Sequence, residues 1–413
     1  MIVERSSTPT GARSSKDSPI AGDVQRRVLL LLEDFGGGTG NHVCRMVRDW
    51  SSRGWRVTVV TQTAPLVRQL PEGVDVRLVR RTGWYDRFPL TQLRRLFALW
   101  RIVRAVRPDI VHTYFYWSIL YGRVLKLLGA IPKLVENRED MGYSWSKGDY
   151  RPLRMTRGIP DRVICVAEAV RQVVLQREGV DATRTTVIHN GVDLRGAGAM
   201  SREEAGRLFG FEGEDVVIGM IANLPRPVKG GRRLLDAVRA IVTAVPNARF
   251  LLVGQGTDRA SLEAELEARG ITPYVHGAGY RCDVDACYAA MDISVLTSST
   301  EGLSITLLES MRCGLPAVVT EVGGNSELVA DGVTGFLVPL DDSRAFVDRV
   351  ITLAQDASLR RSMGDRGRRR VAEHFAVDDV AHRYLNLYDD LLGAEHRHGG
   401  RSATVSQTLE NYA

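Results

Sequence analysis

The sequence lacks any long hydrophobic run. No apolar stretch approaches the roughly 18 to 20 residues that a membrane-spanning helix needs. Residues 1–24 are rich in Ser, Thr, Gly and Pro and lack the apolar centre of a secretory signal peptide. We therefore expect a cytoplasmic protein, with flexible tails at residues 1–24 and 394–413.

Cysteine is scarce, and its spacing does not suit a metal or disulfide site. The chain has five cysteines, an odd number, and none forms a Cys-x-x-Cys pair. Asp283 and Asp285 form an Asp-x-Asp, but it falls where a helix is predicted to begin, so we interpret it as a helix cap. The cysteine spacing therefore predicts reduced thiols with no metal or disulfide role.

Acidic residues are missing from one basic segment. The formal charge is +6 and the isoelectric point about 9.1, which favours an anionic partner such as a nucleotide or a phospholipid surface. Residues 91–107 contain five arginines and no acid, interleaved with apolar residues at helical spacing. Such a helix can pack on its own sheet, lie on an anionic membrane surface, or do both. No recognition-helix motif or aromatic RNA-binding strand is present, so no nucleic-acid partner is expected.

The remaining pattern is that of a two-domain α/β protein. Apolar strands such as "RRVLLLLED" and "WRVTVVTQT" alternate with helical stretches, and the series restarts at "VVIGMIANL". This alternation predicts two doubly wound, parallel-sheet domains facing a cleft. We expect a first domain at 25–200, a second at 201–377, and a final helix at 378–393 that returns to the first domain.

Two segments are candidates for phosphate binding. "LEDFGGGTGNHV" places Gly37 and Gly38 between a strand and a helix, where the backbone can approach a phosphate, although a plain tight turn would look the same. "NLPRPVKGG" places Arg226 and Lys229 after the first strand of the second domain. Two cations at a strand end suit a diphosphate, although lysines at helix starts are commonplace.

The stretch "SSTEGLSITLLESMRCG" holds two carboxylates eight positions apart. Glu301 falls in the turn after a strand, and Glu309 lies inside an apolar helical pattern, where an acid needs a partner. Both could bind sugar hydroxyls, or they could be a solvated loop acid and a surface helix residue. The amides that would point at an anion belong to Gly302, Leu303 and Ser304.

Together, the motifs resemble a known family. "EGLSITLLE", "VIHNGVDL", "PVKGG", "LLVGQG", "GGNSELV" and "GVTGFLV" occur in the order seen in retaining glycosyltransferases of family 4, which have the GT-B fold. The resemblance implies a nucleotide-sugar donor, UDP- or GDP-linked, held mainly by the second domain. It also implies a glycan or lipid-linked acceptor held mainly by the first domain, and no cofactor or metal.

The resemblance also implies roles for single residues. Glu309 matches the residue that binds the ribose hydroxyls, and Glu301 matches the residue beside the transferred sugar. The basic pair that holds the diphosphate corresponds to Arg226 and Lys229, and the glycine loop beside the donor phosphate corresponds to Gly37 and Gly38. Catalysis is expected to depend on stabilising the leaving nucleotide rather than on a nucleophilic side chain.

Two departures from the family pattern and one polar loop bear on these roles. The family's arginine commonly stands where this chain has Asn223 or Leu224, and Arg226 lies closer to the lysine. The family often has His-x-His after the "DIV" strand, whereas here His112 is followed by Tyr114, which is neutral near pH 7. His112 is either catalytic or structural. Arg138 begins a long polar loop that either faces the acceptor or is a solvated turn.

The sequence therefore predicts a retaining hexosyltransferase. If the basic helix lies on lipid, the protein is expected on the inner face of the membrane. Two alternatives stay open. One is a nucleotide-sugar hydrolase or epimerase of the same fold, and the other is a catalytically inactive sugar-binding scaffold.

Overall fold

A computed structural model describes residues 25–33, 37–62, 70–79, 89–196, 198, 200–223, 226–254 and 259–393. The described residues form two wholly parallel β-sheets, one of seven strands and one of six. This architecture confirms the predicted α/β fold. The segments predicted as flexible tails lie outside the described residues.

The first sheet and its helices occupy the N-terminal part of the chain. Their bounds are β1 (Arg27–Leu32), α1 (Gly37–Ser52), β2 (Arg56–Thr61), β3 (Asp75–Leu78), α2 (Pro89–Val106), β4 (Ile110–Tyr114), α3 (Tyr116–Leu127), β5 (Lys133–Arg138), α4 (Tyr150–Met155), β6 (Arg162–Cys165), α5 (Glu168–Val173) and β7 (Thr185–Val187). The strand order is β3-β2-β1-β4-β5-β6-β7. The order reverses between β1 and β4, so their carboxyl ends flank a crevice.

The second sheet follows the same plan. Its elements are α6 (Arg202–Leu208), β8 (Val216–Ile221), α7 (Gly231–Ala244), β9 (Ala248–Val253), α8 (Arg259–Arg269), β10 (Val275–Gly279), α9 (Val284–Ala289), β11 (Ile293–Leu296), α10 (Ile305–Arg312), β12 (Ala317–Thr320), α11 (Asn325–Leu328), β13 (Gly335–Val338), α12 (Ser343–Gln355) and α13 (Ala357–His374). The strand order is β10-β9-β8-β11-β12-β13, and it reverses between β8 and β11.

Side-chain alternation explains why the strands read as continuous apolar runs. In β1, Val28, Leu30 and Leu32 belong to the core shared with α1, whereas Leu29 and Leu31 belong to the core shared with α2 and α3. Successive strand residues point to opposite faces, so helices on both faces require apolar residues at every position.

The last helix, α14 (Val377–Leu391), packs on the first domain. Its Tyr384 and Tyr388 are fully buried, and each ring lies within 6 Å of Trp50 in α1. The Trp50 indole also donates a hydrogen bond to the Ala381 carbonyl at 3.3 Å. The predicted return of the C-terminal helix to the first domain is confirmed.

Helix α2 has two contrasting faces. Leu99, Ile102 and Val103 pack on the first sheet, so the helix is a structural part of the domain. Its opposite face exposes three large apolar side chains and three arginines, Leu90, Leu93, Arg94, Phe97, Arg101 and Arg104. Both interpretations of the basic segment therefore remain compatible with its position.

Candidate functional site

Glu301 and Glu309 lie on the loop and helix that follow β11. Ser304 caps the start of α10, as predicted: its side-chain oxygen accepts a hydrogen bond from the Leu307 amide at 3.3 Å. Gly314 follows the end of the helix with a φ of 77°, as expected for a left-handed cap. Both carboxylates are only 7% exposed. Buried carboxylates need partners, and each of the two has a cation nearby.

Glu301 is paired with Lys229. The Lys229 Nζ lies 2.8 Å and 3.0 Å from the two carboxylate oxygens, and the Ser298 hydroxyl donates to Oε1 at 2.6 Å. Lys229 ends a 3₁₀ turn after β8, so the pair joins the carboxyl ends of β8 and β11. The next residue, Gly230, has a φ of 72°, and a Cβ there would lie 1.8 Å from the Thr297 carbonyl oxygen. Only glycine allows this close approach.

Glu309 has partners from both domains. The Tyr288 hydroxyl donates to its Oε2 at 3.2 Å, and Arg45 Nη2 of α1 lies 3.9 Å from its Oε1. Burial raises the pKa of Glu309 above its usual value, and the charges of Arg45 and Arg312 oppose that rise. The second carboxylate of the pair therefore sits at the contact between the domains.

Two glycines allow the domains to approach each other. A Cβ on Gly38, in the first turn of α1, would lie 3.1 Å from Ile305 Cδ1 of α10. A Cβ on Gly302 would lie 2.0 Å from the Glu139 carbonyl oxygen, which follows β5. Gly37 is the first residue of α1. The start of α1 and the glutamate loop of the second domain thus lie at the same contact between the domains.

Arg226 lies at the same edge of the second sheet. Its Nη1 donates to the Tyr143 hydroxyl at 3.1 Å, and its backbone amide donates to the Asn223 carbonyl at 3.1 Å. Asp140, on the first-domain loop, has its pKa raised by burial, while an amide hydrogen bond and the charges of Arg138, Arg226 and Lys229 oppose that rise. The polar loop after β5 therefore lies against the basic pair.

His112, predicted as either catalytic or structural, is packed inside the first domain. It lies in the central strand β4, is fully buried, and its Nδ1 is 2.6 Å from the Tyr388 hydroxyl of α14. Burial lowers its pKa to about 3, so the imidazole is neutral near pH 7. These contacts favour the structural one of the two predicted roles, and the catalytic role stays a prediction.

Tyr114 and Arg138, both predicted on the acceptor side, are also buried. The Tyr114 ring packs 4.5 Å from that of His112. Arg138 binds Glu178 through two hydrogen bonds of 2.9 Å and 2.7 Å and Glu136 at 2.9 Å. Arg138 is thus a buried cation held by two carboxylates, and its acceptor-side role stays a prediction.

Two residues near the contact between the domains, Arg45 and Glu327, were not identified from the sequence. Arg45 stands seven positions after Gly38, so helical periodicity places both on one face of α1 and could have revealed it. Glu327 of "GGNSELV" accepts hydrogen bonds from the Glu168 and Ala169 amides of α5 at 2.9 and 3.1 Å, and lies 2.8 Å from His189 Nε2. No local pattern could show that this residue ties the two domains together.

The Asp-x-Asp has a structural role. Asp283 stands at the N-cap position of α9, but its side chain makes no capping hydrogen bond and instead binds Arg281 at 2.8 Å. Asp285 pairs with the buried Arg312. Both aspartates are therefore paired with arginine side chains.

Two family models match the chain, one in each of its two domains. The family described as Glycosyltransferase Family 4 matches residues 36–195, and the family described as Glycosyl transferases group 1 matches residues 215–356. The UDP-Gal:alpha-D-GlcNAc-diphosphoundecaprenol alpha-1,3-galactosyltransferase of Escherichia coli is 24% identical over 73% of this chain and 81% of its own. The D-inositol 3-phosphate glycosyltransferase of Mycobacterium bovis is 28% identical over 95% of this chain and 87% of its own.

Solved structures share the fold. The crystal structure of Anabaena Alr3699/HepE in complex with UDP superimposes with a TM-score of 0.75 at 20% identity, over 88% of this chain and 100% of its own. Among the described residues, no helix has the length and apolar character needed to cross a bilayer. The two family matches, the relatives and the shared fold show that the chain belongs to family 4 of the glycosyltransferases, with the GT-B fold.

Proposed function

We propose that the protein is a retaining glycosyltransferase that moves a hexose from a UDP-linked sugar to a hydroxyl group of a glycan or lipid-linked acceptor. The observation that carries the proposal is the Lys229–Glu301 pair beside Glu309, at the meeting of two sheet edges. UDP is favoured over GDP because the galactosyltransferase relative is named for UDP-Gal and the Anabaena structure holds UDP.

The second domain supplies most of the donor site. Lys229 and Arg226 neutralise the diphosphate, and the amides of Gly302, Leu303 and Ser304 donate hydrogen bonds to it. Glu309 accepts hydrogen bonds from the ribose hydroxyls, and Glu301 accepts one from the transferred sugar. From the facing domain, the start of α1 at Gly37 and Gly38 lies against the donor phosphate. Asn223 borders this site through its carbonyl contact with Arg226.

Transfer proceeds on one face of the sugar. The bond from the acceptor oxygen to the anomeric carbon forms as the bond from that carbon to the β-phosphate oxygen breaks. The bonding electron pair leaves with the phosphate, and the acceptor proton passes to a phosphate oxygen. Negative charge grows on the diphosphate during this step, so cations and amides fixed beside it lower the barrier.

A screen of donors and acceptors tests this function. The purified protein is incubated with UDP-glucose, UDP-galactose, UDP-N-acetylglucosamine and the matching GDP-sugars. Each donor is paired with GlcNAc-diphosphoundecaprenol and with D-inositol 3-phosphate, the compounds in the relatives' names. We expect one UDP-sugar to be consumed with an acceptor, and NMR of the product to show the donor's own anomeric configuration.

Other outcomes favour the alternatives. Donor consumption that no acceptor accelerates indicates a hydrolase, and sugar isomerisation without nucleotide release indicates an epimerase. Binding of UDP with no turnover of any donor indicates an inactive scaffold. An inverted product contradicts the front-face route.

We also propose that an anionic membrane surface is a partner of the first domain. Leu90, Leu93 and Phe97 of α2 are 71%, 59% and 58% exposed, and they alternate with exposed arginines. The neighbouring α3 adds exposed Trp117, Leu127 and Leu128. Apolar side chains and arginines on one face suit a bilayer interface, where the former enter the headgroup region and the latter meet phosphates.

Vesicle partitioning tests this surface. Replacing Arg94, Arg101 and Arg104 by glutamate is expected to weaken binding to phosphatidylglycerol vesicles by about a hundredfold or more, since each basic residue contributes roughly 1 kcal/mol. A control variant carries the same charge change at Arg344, Arg361 and Arg369, which are exposed on the second domain. Equal losses in both variants would show that net charge, and not the α2 face, governs binding.

A further inference from the structure

Glu139 stands at the boundary between the domains, directly after β5. Its carbonyl oxygen is packed against Gly302 of the donor loop, so closely that a Cβ there would lie 2.0 Å away. Its carboxyl group accepts a hydrogen bond from the Asn137 side chain, and Asn190 Nδ2 lies 3.5 Å from its Oε2. The residue as a whole is partly exposed at this boundary. A first-domain carboxyl group therefore borders the loop that we assign to the donor sugar.

Glu139 differs from the other carboxylates around the domain contact. Glu301 is paired with Lys229, Glu309 has Arg45 at 3.9 Å, and Glu327 has His189 at 2.8 Å. No such cation lies within ion-pair distance of Glu139 in the part of the chain that the structure describes. Within the described residues, Glu139 therefore accepts hydrogen bonds from neutral side chains and not from a cation, and it borders the loop that we assign to the donor sugar.

The groups nearest the Glu139 carboxyl are neutral or acidic, and the cations beyond them have partners of their own: Arg138 is bound to Glu136 and Glu178, and Lys229 to Glu301. Asp140 follows it in the chain, the Thr39 and Asn190 side chains are hydrogen-bonded to it, and Tyr114 and Tyr384 are near enough to be affected by its charge. Burial raises the pKa of Glu139 to about 7. The carboxyl group therefore changes charge within the working range of most enzymes.

Asn190 gives a second, independent indication of a ligand. Its side chain is 2% exposed, and within the described residues its Oδ1 has no hydrogen-bond partner. Its amide nitrogen reaches Glu139 only at 3.5 Å, at the limit of a hydrogen bond. Buried polar atoms are normally satisfied. A ligand hydroxyl that donates to Asn190 Oδ1 would satisfy this atom, and one that donates to Glu139 and accepts from Nδ2 would replace the weak contact.

We infer that Glu139, supported by Asn190, binds the acceptor hydroxyl and orients it toward the anomeric carbon of the donor. This inference rests on the proposed transferase function and adds a residue to its acceptor side. The ionised carboxylate accepts the hydrogen bond of the attacking hydroxyl, whose proton then passes to the donor phosphate. The protonated carboxyl group presents a donor instead of an acceptor on that oxygen, so binding of the hydroxyl is weakened.

Glu139→Gln tests the inference because it keeps the shape and removes the charge. The probes are UDP-glucose, UDP-galactose and UDP-N-acetylglucosamine, first with water as the acceptor and then with GlcNAc-diphosphoundecaprenol. We expect turnover to fall about tenfold to hundredfold, the effect of losing a hydrogen bond to a charged group, while the Kd for UDP changes less than twofold. Glu168→Gln, an exposed first-domain carboxylate paired with Arg171, is the matched control and is expected to behave as wild type.

A pH profile separates this role from a structural one. Wild-type kcat/KM is expected to rise with pH through about 7, because the carboxyl group must ionise. Glu139→Gln should lose this limb, and Glu139→Asp should retain it at a lower rate. Full activity of Glu139→Gln, or an unchanged acid limb, would overturn the inference. A wild-type protein that turns over no donor would overturn the proposed function, and this inference with it.

Discussion

The two domains hold their charges in different ways. On the second domain, Lys229 and Glu301 pair at a sheet edge, with the lysine about a quarter exposed. On the first domain, Arg123 and Arg138 bind Glu136 and Glu178, and all four side chains are 3% exposed or less. The second-domain charges can be reached by an anionic donor, whereas the first-domain charges are enclosed.

This difference has an energetic meaning. A buried ion pair gains strength from low dielectric but its members have lost their hydration, so removing one member leaves an uncompensated charge. A pair at a cleft edge can exchange its partner for a ligand at smaller cost. The first-domain network is therefore expected to control stability, and the second-domain pair to control donor binding and turnover.

The largest expected effect is on folding. Arg138→Ala leaves Glu136 and Glu178 without one of their cations and should lower the free energy of unfolding by about 3–5 kcal/mol. Urea unfolding measures it, with the exposed Arg154→Ala as control. A loss below 1 kcal/mol would contradict the view that this network is structural.

The next effect is on catalysis. Lys229→Ala should lower kcat by about 10²- to 10³-fold, because a fixed charge beside the leaving diphosphate is lost. Stopped assays with the active UDP-sugar measure it. Arg232, which is 85% exposed one turn further on, supplies the control variant Arg232→Ala. Equal rates for the two variants would remove Lys229 from the site.

Donor affinity should change less. Glu309→Gln is expected to weaken UDP binding about tenfold, since one charge-assisted hydrogen bond to the ribose becomes a neutral one. Calorimetric titration with UDP measures the change, and the exposed Glu373→Gln is the control. Unchanged affinity would place the ribose elsewhere.

The last effect concerns acid stability, which appears only when the pH is lowered. The folded pKa of His112, about 3, lies below its ordinary value of 6.5, so the unfolded chain takes up a proton as pH falls below 6.5 and the folded chain does not. At pH 5 this lowers the free energy of unfolding by about 2 kcal/mol relative to neutral pH. Between pH 7 and pH 5, the free energy of unfolding of His112→Gln should therefore fall by about 2 kcal/mol less than that of the wild type.

The matched control for this measurement is His382→Gln, at an exposed position of α14. It should follow the wild-type pH dependence in urea unfolding. If His112→Gln follows it too, the imidazole is not neutral in the folded protein.

The sequence by itself determined the fold class and the local geometry of the glutamate loop. Short continuous apolar runs and helical patterns specify strands and helices, and Ser304 and Gly314 specify where α10 begins and ends. These features depend on neighbours a few positions away. The eight-residue spacing was therefore enough to predict that Glu301 lies in the loop and Glu309 in the helix.

Only the tertiary structure decided which polar residues of the first domain face the cleft. His112 is buried by Tyr388, 276 positions away, and Arg138 is held by Glu178, 40 positions away. The contacts of Glu309 with Arg45 and of Glu139 with Gly302 join different domains. Burial and ion pairing depend on what packs on top of a residue, and local spacing does not carry that information.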